Sequence, residues 1–596
     1  MIVFVKKIIK KYLGSFVFFY RELGYKILLI IVLSISIGFL DGLGLAIFMP
    51  LLELVGNPDK VTDASQTPIN ELINNLGISI TFTNVLYLML VVFSFKGFMK
   101  FASTSYQVIV FQSFIKSLRL KIFLNFDQIK FKYFSSANVG RIQNTFTLEI
   151  DRVSSASRFY LRGIELSILV LTYLVLSFLS NAEFTVLVIV GGAMTNFIYK
   201  FINKKTKLES SVLVKRNSFY QGMVIQYVNL FKYLKVSGKI DLFAKKIKKQ
   251  VFSVENTNKK IGILNALSLS LREPLMIFIL AAVMFVQVKI LNGSLELILL
   301  SILFFYRALQ SVLAFQTVYN NFLAVQGSLV NVQDFQKELL KHKETNGGHV
   351  FTQFNDAIVL RNVCFNYGIT PILSNINLTI KKHETIALVG ESGSGKTTLI
   401  NILAGLLPID SGEFTIDQNN VSELNKKSYQ KNIGYITQEP IIFTDTLFNN
   451  VTFFEEKNDE TLDKFYDAIT KASLLDFLNQ SNLKEDINLR NNGINLSGGQ
   501  KQRISIAREL YKNAEFLFMD EATSALDSET ENFIQKNIEK IKGKKTLVVA
   551  AHRFSTIKEA DRIVIMDKGK ILSVGTFEDL IENDKNFKRM IELQEV

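Results

Sequence analysis

A glycine-rich string near residue 390 has the residue types of a phosphate-binding loop. The string is Gly390-Glu-Ser-Gly-Ser-Gly395-Lys396-Thr397, and it follows the apolar run Ile386–Val389. Glycines allow backbone N–H groups to turn inward around an anion, a lysine reaches the terminal phosphates, and the adjacent hydroxyl can ligate Mg²⁺. The string therefore predicts a site for a nucleoside triphosphate. The residues predicted to contact the nucleotide here are Gly390, Ser392, Gly393, Ser394, Gly395, Lys396, Thr397 and Thr398.

Two carboxylates follow a second apolar run, Phe516–Met519, and they are Asp520 and Glu521. A carboxylate at the end of a buried strand can help Thr397 to hold Mg²⁺, here through a water molecule. Glu521 is then placed to accept the proton of a water that attacks the terminal phosphate, as a general base. The pair therefore predicts hydrolysis of the nucleotide as well as binding.

A third string, Leu496-Ser497-Gly498-Gly499-Gln500, begins a predicted helix whose N-terminal amides and dipole attract an anion. In this order and spacing, the three strings resemble the nucleotide-binding domain of an ATP-binding cassette (ABC) protein. The resemblance implies ATP and Mg²⁺ as cofactors. It also implies that Ser497, Gly498, Gly499 and Gln500 complete the ATP site of an opposite subunit. A homodimer with two competent sites is the simplest assembly, and a heterodimer with another half-transporter is the alternative.

The same resemblance gives roles to four residues outside these strings. Tyr367 resembles the aromatic residue that stacks on adenine, although a strand tyrosine taken alone is more often a packing residue. Gln438 matches the glutamine that touches Mg²⁺ and faces the membrane domain, so it is both a metal and a catalytic candidate. Asp527 falls in the family's D-loop at the ATP site, and His552 matches the catalytic histidine that contacts the γ-phosphate.

One stretch departs from the family's pattern. ABC exporters usually carry Gly-Glu-x-Gly just before the signature string, whereas this chain has Arg490-Asn491-Asn492-Gly493. The glutamate that often communicates with the coupling loops is therefore missing. Hydrolysis is expected to survive this change, while the detail of interdomain coupling stays open, as does an asymmetric heterodimer.

The elements that carry these motifs lie after a strongly apolar region. Apolar residues make up 48% of the chain and are concentrated in roughly its first 330 residues. A helix needs about 20 apolar residues to cross the hydrocarbon of a bilayer. The stretches that meet this length are 26–53, 82–112, 156–180, 182–203, 272–290 and 295–325. The net charge of +14 is concentrated at the N-terminus and between pairs of spans, a positive-inside pattern that explains it better than nucleic-acid binding does.

These features predict a six-helix transmembrane domain of the ABC exporter type followed by an α/β P-loop ATPase domain. The predicted boundaries are 1–334 for the transmembrane domain, 335–350 for a polar linker and 351–596 for the ATPase domain. The basic segments around 133–153 and 218–222 resemble intracellular loops whose turns dock on the ATPase. The alternative is that they are amphipathic connectors without a docking role.

Four ionisable residues lie inside the predicted spans, and these are Asp41, Lys96, Arg272 and Arg307. Such residues are costly in a bilayer unless they face a cavity, so all four are candidates for a substrate cavity. Arg307 lies about 11 residues from the outer end of its span, which is roughly 16 Å deep at 1.5 Å per residue. Snorkelling to the interface therefore suits Arg272 better than Arg307. A basic cavity favours a phosphate or pyrophosphate head group.

The first span and Tyr306-Arg307 are similar to flippases that move lipid-linked oligosaccharides for bacterial protein glycosylation. The similarity implies an ATP-driven exporter or flippase that moves a lipid or lipid-linked glycan by alternating access. It also implies the bacterial inner membrane, with the N-terminus and the ATPase domain in the cytoplasm. A multidrug or peptide exporter of the same fold is the alternative. The single cysteine, Cys364, excludes a peptide exporter with a cysteine-protease domain.

Overall fold

The computed structural model divides the chain into two compact units, which lie within 1–128 plus 137–342 and within 129–136 plus 343–596. The ranges described are 14–48, 50–51, 54, 73, 75, 77–180, 182–286, 289, 295–480, 483–490, 493–520, 541–551 and 557–592.

The first unit is built from helices, most of them long. Their bounds are α1 Gly14–Leu23, α2 Lys26–Ala46, α3 Phe82–Phe126, α5 Val139–Asn144, α6 Ile150–Ser180, α7 Ala182–Asn229, α8 Phe231–Val236, α9 Ile240–Ser270, α10 Arg272–Phe285 and α11 Leu295–Lys341; α4, Phe131–Ser136, belongs to the second unit. A side-chain cap starts two of them: the Thr81 hydroxyl accepts from the Asn84 amide at 3.4 Å, and Asn138 accepts from the Arg141 amide at 3.0 Å. A short π-helical turn, Thr145–Glu149, joins α5 directly to α6.

Within the described residues, four helical stretches are long and apolar enough to cross a membrane. They are Lys26–Ala46, Phe82–Phe126, Val139–Phe178 and Ile240–Phe285. The predicted fourth and sixth spans lie in α7 and α11, which are not among these four. The prediction of a helical membrane domain is therefore confirmed, while the number of six spans stays a prediction.

The two inner basic segments approach each other closely inside the first unit. A Cβ atom added to Gly140 would lie 2.5 Å from the Cα atom of Gly222, a distance that no side chain tolerates. Glycine at position 140 therefore lets α5 contact α7 backbone to backbone. These are the glycines of the segments predicted as intracellular loops.

The second unit is an α/β domain, as predicted, and its described residues form two main sheets. Its strands are β1 Ala357–Tyr367, β2 Thr370–Lys381, β3 Thr385–Val389, β4 Ser411–Ile416, β5 Asn419–Asn420, β6 Ile433–Ile436, β7 Asp445–Thr446, β8 Asn488–Leu489, β9 Phe516–Asp520, β10 Thr546–Ala550, β11 Arg562–Asp567 and β12 Lys570–Gly575. Among the described residues, one sheet has the order β12-β11-β3-β10-β9-β6 and another has the order β2-β1-β4-β5. Strands β6, β9, β10, β3 and β11 run parallel, so their carboxyl ends share one edge.

Helices cover the parallel sheet of the second unit and bury its apolar strands. Their bounds are α12 Lys396–Leu403, α13 Lys426–Lys431, α14 Leu447–Thr452, α15 Asp459–Lys471, α16 Leu475–Asn479, α17 Gly498–Lys512, α18 Phe577–Asn583 and α19 Lys585–Glu592. All five residues of β3 and of β10 are buried, which is why these strands are continuous apolar runs.

The segment predicted as a linker is helical at its start. Helix α11 continues to Lys341, and the chain then pairs with the second unit, where the amide of Gly347 donates to the Leu424 carbonyl at 3.1 Å. The amide of His349 likewise donates to the Glu423 carbonyl at 3.1 Å. The irregular part of the predicted linker is therefore short, and the domain boundaries themselves remain predictions.

Candidate nucleotide site and transmembrane charge cluster

The glycine-rich string forms a loop between β3 and α12, which is the context that a phosphate-binding loop requires. Three of its glycines have positive φ angles, at +156° for Gly390, +84° for Gly393 and +104° for Gly395. A Cβ atom at Gly390 would lie 2.1 Å from the Met566 carbonyl oxygen, so only glycine fits there. The loop conformation thus depends on the residue type that the sequence supplies.

Lys396 and Ser394 place polar atoms inside this loop. Lys396 is only 5% exposed, and its Nζ donates to the carbonyls of Gly390 at 2.7 Å and Glu391 at 3.1 Å. Ser394 is 3% exposed, and its hydroxyl makes no hydrogen bond within the described part of the chain. A buried ammonium beside an unsatisfied hydroxyl fits the phosphate groups of ATP.

Two of the three residues predicted to hold Mg²⁺ lie side by side. Asp520 ends β9, Thr397 opens α12, and the Thr397 hydroxyl donates to Asp520 Oδ1 at 3.1 Å. Burial and the charge of Asp520 raise the pKa of the nearby Tyr435 hydroxyl, which therefore stays protonated and donates to Asn401 at 3.1 Å. Hydroxyl and carboxylate oxygens are the donor set that Mg²⁺ prefers, so the pair fits this ion. Gln438, the third predicted ligand, is exposed in the loop after β6.

Tyr367 is the last residue of β1 and is 37% exposed. Its ring meets the fully buried Phe365 ring edge-on, with centroids 4.9 Å apart and an interplanar angle of 89°. Burial raises the pKa of the Tyr367 hydroxyl. The Tyr367 ring thus packs against Phe365 while part of the side chain stays accessible, as a base-stacking residue requires.

The signature string caps α17. The Ser497 hydroxyl accepts from the Gln500 amide at 3.2 Å, and Gln500 Oε1 accepts from the Ser497 amide at 2.9 Å, which together make a capping box. The helix then begins with Gly498 and Gly499, whose amides add to the positive end of the helix dipole. This positive helix end lies at the surface, because Ser497 and Gly498 are exposed and Gly499 is half-buried.

Several predicted residues lie outside the described ranges. These are Glu521, Asp527 and His552 of the ATP site, with Asn491 and Asn492 of the stretch that departs from the family's pattern. Their roles remain predictions from the sequence.

Two candidates for the substrate cavity meet at one tyrosine, and a third lies on a helix that packs against it. Lys96 Nζ forms an ion pair with Asp41, whose other carboxylate oxygen accepts a hydrogen bond from the Tyr173 hydroxyl. Asp41 is 8% exposed and Tyr173 is 2% exposed. Arg307 lies on α11 between Phe304 and Ala308, which pack in one buried cluster with Tyr173. Helices α2, α3 and α6 therefore each contribute a polar or charged side chain to one group, beside the part of α11 that carries Arg307.

A second group of charges was not predicted from the sequence. Glu165, which is 3% exposed, forms ion pairs with Lys100 and, at 2.6 Å, with Arg162. Lys100 lies one helical turn after Lys96 on α3, so both lysines lie on the same face of that helix. The i,i+4 spacing of the two lysines inside a predicted span was the available signal.

Arg272 lies apart from these groups among the contacts described. It opens α10, whose residues Met276 and Ile279 pack in one cluster with Tyr199. The structure thus pairs Asp41 with Lys96, places Arg307 on the helix that packs against their tyrosine, and places Arg272 on a helix that packs against a different tyrosine.

Removing the Glu165 carboxylate is expected to destabilise the helical unit. Glu165→Gln keeps the shape and leaves Lys100 and Arg162 without their shared counter-charge. We expect a loss of about 1 to 2 kcal/mol, less than for a fully buried pair because the two cations are partly exposed. Thermal unfolding of the purified protein measures it. Glu209→Gln, which disrupts the more exposed pair with Lys260, is the matched control, and an equal effect of both variants would contradict the prediction.

Comparison with known proteins shows the family. The model for "ABC transporter" matches residues 373–524, and the model for "ABC transporter transmembrane region" matches residues 27–314. A solved bacterial Atm1-family ABC exporter with ATP bound has a TM-score of 0.78 at 18% identity, over 97% of this chain and 99% of that chain. The chain therefore belongs to the ABC transporters, with the fold of an exporter that fuses the two regions. It is a multi-pass membrane protein that binds ATP and couples its hydrolysis to transport.

Curated relatives that cover most of the chain are 25 to 29% identical to it. The ATP-dependent lipid A-core flippase of Vibrio cholerae is 25% identical over 84% of this chain and 86% of its own length. The flippase of the same name from Francisella novicida is 28% identical over 85% and 87%. The heterocyst differentiation ATP-binding protein HepA of a Nostoc species is 29% identical over 78% and 76%.

Proposed function

We propose that this chain is an ATP-driven flippase that moves an anionic lipid across the bacterial inner membrane, with its ATPase domain in the cytoplasm. The observation that carries the proposal is the group of charged residues in the membrane region of a chain that also contains an ATPase domain. The relatives named as lipid A-core flippases support the same class of substrate. A phosphate or pyrophosphate head group is the feature that a lipid A-core or a lipid-linked oligosaccharide would present to the site.

The balance of charges favours an anion. Asp41 and Glu165 are the carboxylates of the two groups, and the cations Lys96, Lys100 and Arg162 pair with them. Arg307 adds a further cation on α11, between Phe304 and Ala308, which pack with Tyr173. Cations therefore exceed carboxylates, and an excess of positive charge in a bilayer is stabilised when an anionic ligand balances it. A neutral drug would gain nothing from this excess, which disfavours the multidrug alternative.

ATP is proposed to bind through the loop and the residues around it. Lys396, the Ser394 hydroxyl and the loop amides would hold the phosphates, and Tyr367 would stack on adenine. Thr397, Asp520 and Gln438 would hold Mg²⁺, which when bound neutralises charge on the phosphates. Glu521 would accept the proton of the attacking water, and His552 would contact the γ-phosphate.

We propose a homodimer in which Ser497 of one copy faces the phosphate loop of the other. The exposed N-terminal end of α17 supports this arrangement, because the amides and the dipole of such a helix end attract an anion. A heterodimer with another half-transporter is the alternative, and the departure at Arg490-Asn491-Asn492 leaves room for it.

The dimer predicts a specific crosslink. The chain has one cysteine, so Cys364→Ser gives a background in which Ser497→Cys and Ser392→Cys are the reactive positions. In Glu521→Gln protein expressed alone, ATP and Mg²⁺ should produce a covalent dimer with a short bismaleimide, because the two cysteines then lie across one nucleotide. Each single-cysteine variant is the control. A purified chain that binds ATP but stays monomeric on the gel would contradict the homodimer.

Flipping itself is tested in liposomes that contain the purified protein and a fluorescent lipid. ATP-dependent inversion of a pyrophosphate-linked lipid, together with no inversion of a neutral lipid that has the same chains, is the expected result. Inversion of the neutral lipid at the same rate would instead favour the multidrug alternative. Transport of peptides without any inversion of lipids would favour a peptide exporter.

A further inference from the structure

The segment Ile129–Ser136 belongs by its packing to the ATPase unit, although the chain on both sides of it belongs to the helical unit. Phe131 packs against the core that contains the strands of the antiparallel sheet. Ile129 forms a bridge with Lys343, just beyond the end of α11. We call Ile129–Ser136 the docked segment. It contains part of the turn that the sequence predicted to dock on the ATPase.

Lys132 of the docked segment makes two contacts with residues of the ATPase unit. Its Nζ lies 2.9 Å from Asp410 Oδ1 and 4.6 Å from the centre of the Phe365 ring. The Lys132 and Asp410 side chains are 30% and 34% exposed, so water screens the ion pair only in part. The distance to the ring is within the range in which a cation is attracted to an aromatic face.

Both residues that Lys132 contacts are connected to the end of strand β1: Phe365 belongs to the strand, and Asp410 is hydrogen-bonded to it. Asp410 Oδ2 accepts from the amide of Asn366 at 2.7 Å, and the Asp410 amide donates to the Cys364 carbonyl at 3.0 Å. Phe365 packs edge-on against Tyr367, the residue that ends the strand. Of the three residues before Tyr367, Cys364 and Asn366 are hydrogen-bonded to Asp410, which pairs with Lys132. The third, Phe365, is contacted by Lys132 directly.

We propose that Lys132 is a positioning residue for adenine binding, acting through Phe365 and Asp410 on the ring of Tyr367. The proposal rests on the role of Tyr367 proposed above. In consequence, the position of the docked segment affects the position of the Tyr367 ring through this one side chain. Lys132 touches no nucleotide in this scheme, so it changes how well the ring is placed and leaves the phosphate contacts as they are.

The test is steady-state ATP hydrolysis by the full-length protein in nanodiscs. Lys132→Met keeps the aliphatic stem and removes the charge, and we expect its KM for ATP to rise about two- to fivefold, the size of one cation–π contact. The kcat at saturating ATP should change by less than this factor. Lys132→Arg should restore most of the affinity, because a guanidinium pairs with carboxylates and stacks on rings. Lys130→Met removes the same charge two residues away and is the matched control.

Inhibition by inorganic tripolyphosphate separates positioning of the base from general damage. Tripolyphosphate contacts the phosphate loop without a base, so its inhibition constant should be the same in Lys132→Met and in the parent protein. An equal weakening of ATP and of tripolyphosphate would show that the variant disturbs the whole site, and it would overturn the proposal.

Tyr367→Ala distinguishes failure of this inference from failure of the proposed adenine role. If Tyr367→Ala leaves the KM for ATP unchanged, Tyr367 does not stack on the base and the premise itself is wrong. If Tyr367→Ala raises KM while Lys132→Met behaves like Lys130→Met, only the inference about Lys132 is overturned. The expected result is that Lys132→Met raises KM in the parent and adds nothing in the Tyr367→Ala background. Full additivity in the double variant would contradict a route through the tyrosine.

Discussion

Replacing Glu521 by glutamine should reduce ATP turnover about 100-fold or more, because the change removes the general base and keeps the shape of the side chain. Glu521 follows Asp520 in the sequence, and Asp520 ends β9 and accepts a hydrogen bond from the Thr397 hydroxyl. Binding of ATP should persist, because Lys396, Ser394 and the loop amides are unchanged. Phosphate release and equilibrium binding of labelled ATP, measured on the same preparation, check both parts.

Glu515→Gln is the control for the Glu521 prediction. It makes the same chemical change at the other end of β9, where the Glu515 carbonyl accepts from the Thr546 amide. Its turnover should stay close to that of the parent. A Glu521→Gln protein that hydrolyses ATP within about twofold of the parent rate would show that another group accepts the proton.

Replacing Arg307 by alanine should reduce the number of anionic lipids flipped for each ATP hydrolysed by about tenfold or more, the worth of one charged hydrogen bond. Arg307 lies between Phe304 and Ala308, which pack with Tyr173, so it is the cation of α11 nearest to this charged group. Arg307→Lys should retain part of the flipping, because it keeps the charge and loses the planar fork of donors. The measurement is lipid inversion and phosphate release in the same liposomes.

Arg119→Ala is the control for the Arg307 prediction. Arg119 is a half-exposed arginine of α3 that pairs with Asp151, away from the charges around Tyr173. Its removal should leave the ratio of flipping to hydrolysis near that of the parent. If Arg307→Ala and Arg119→Ala give the same ratio, Arg307 does not bind the head group and the anionic-lipid site must be sought elsewhere.

The sequence predicted the ATPase domain well because its signals are local. The phosphate loop, the strand before it and the helix after it occupy consecutive residues, and the structure confirms β3 and α12 on either side. The capping box of Ser497 and Gln500 likewise lies within four residues. Chemistry that depends on residues near each other in the chain can be predicted before the fold is known.

The charge groups of the membrane region could be predicted only in part. The sequence marks Asp41 and Lys96 as costly in a bilayer, yet it does not show that they pair, because 55 residues separate them. Lys100 and Glu165 are 65 residues apart and were missed altogether. The contact of Lys132 with Asp410 spans 278 residues. Pairs of this kind depend on how helices pack, which periodicity along one helix does not determine.

The flippase proposal is tested most directly by ATP-dependent inversion of a fluorescent pyrophosphate-linked lipid by the purified protein in liposomes. We expect inversion by the parent protein, none by Glu521→Gln, and none for a neutral lipid with the same chains. Hydrolysis of ATP by a correctly reconstituted protein, without any ATP-dependent inversion of pyrophosphate- or phosphate-bearing lipids, would contradict it.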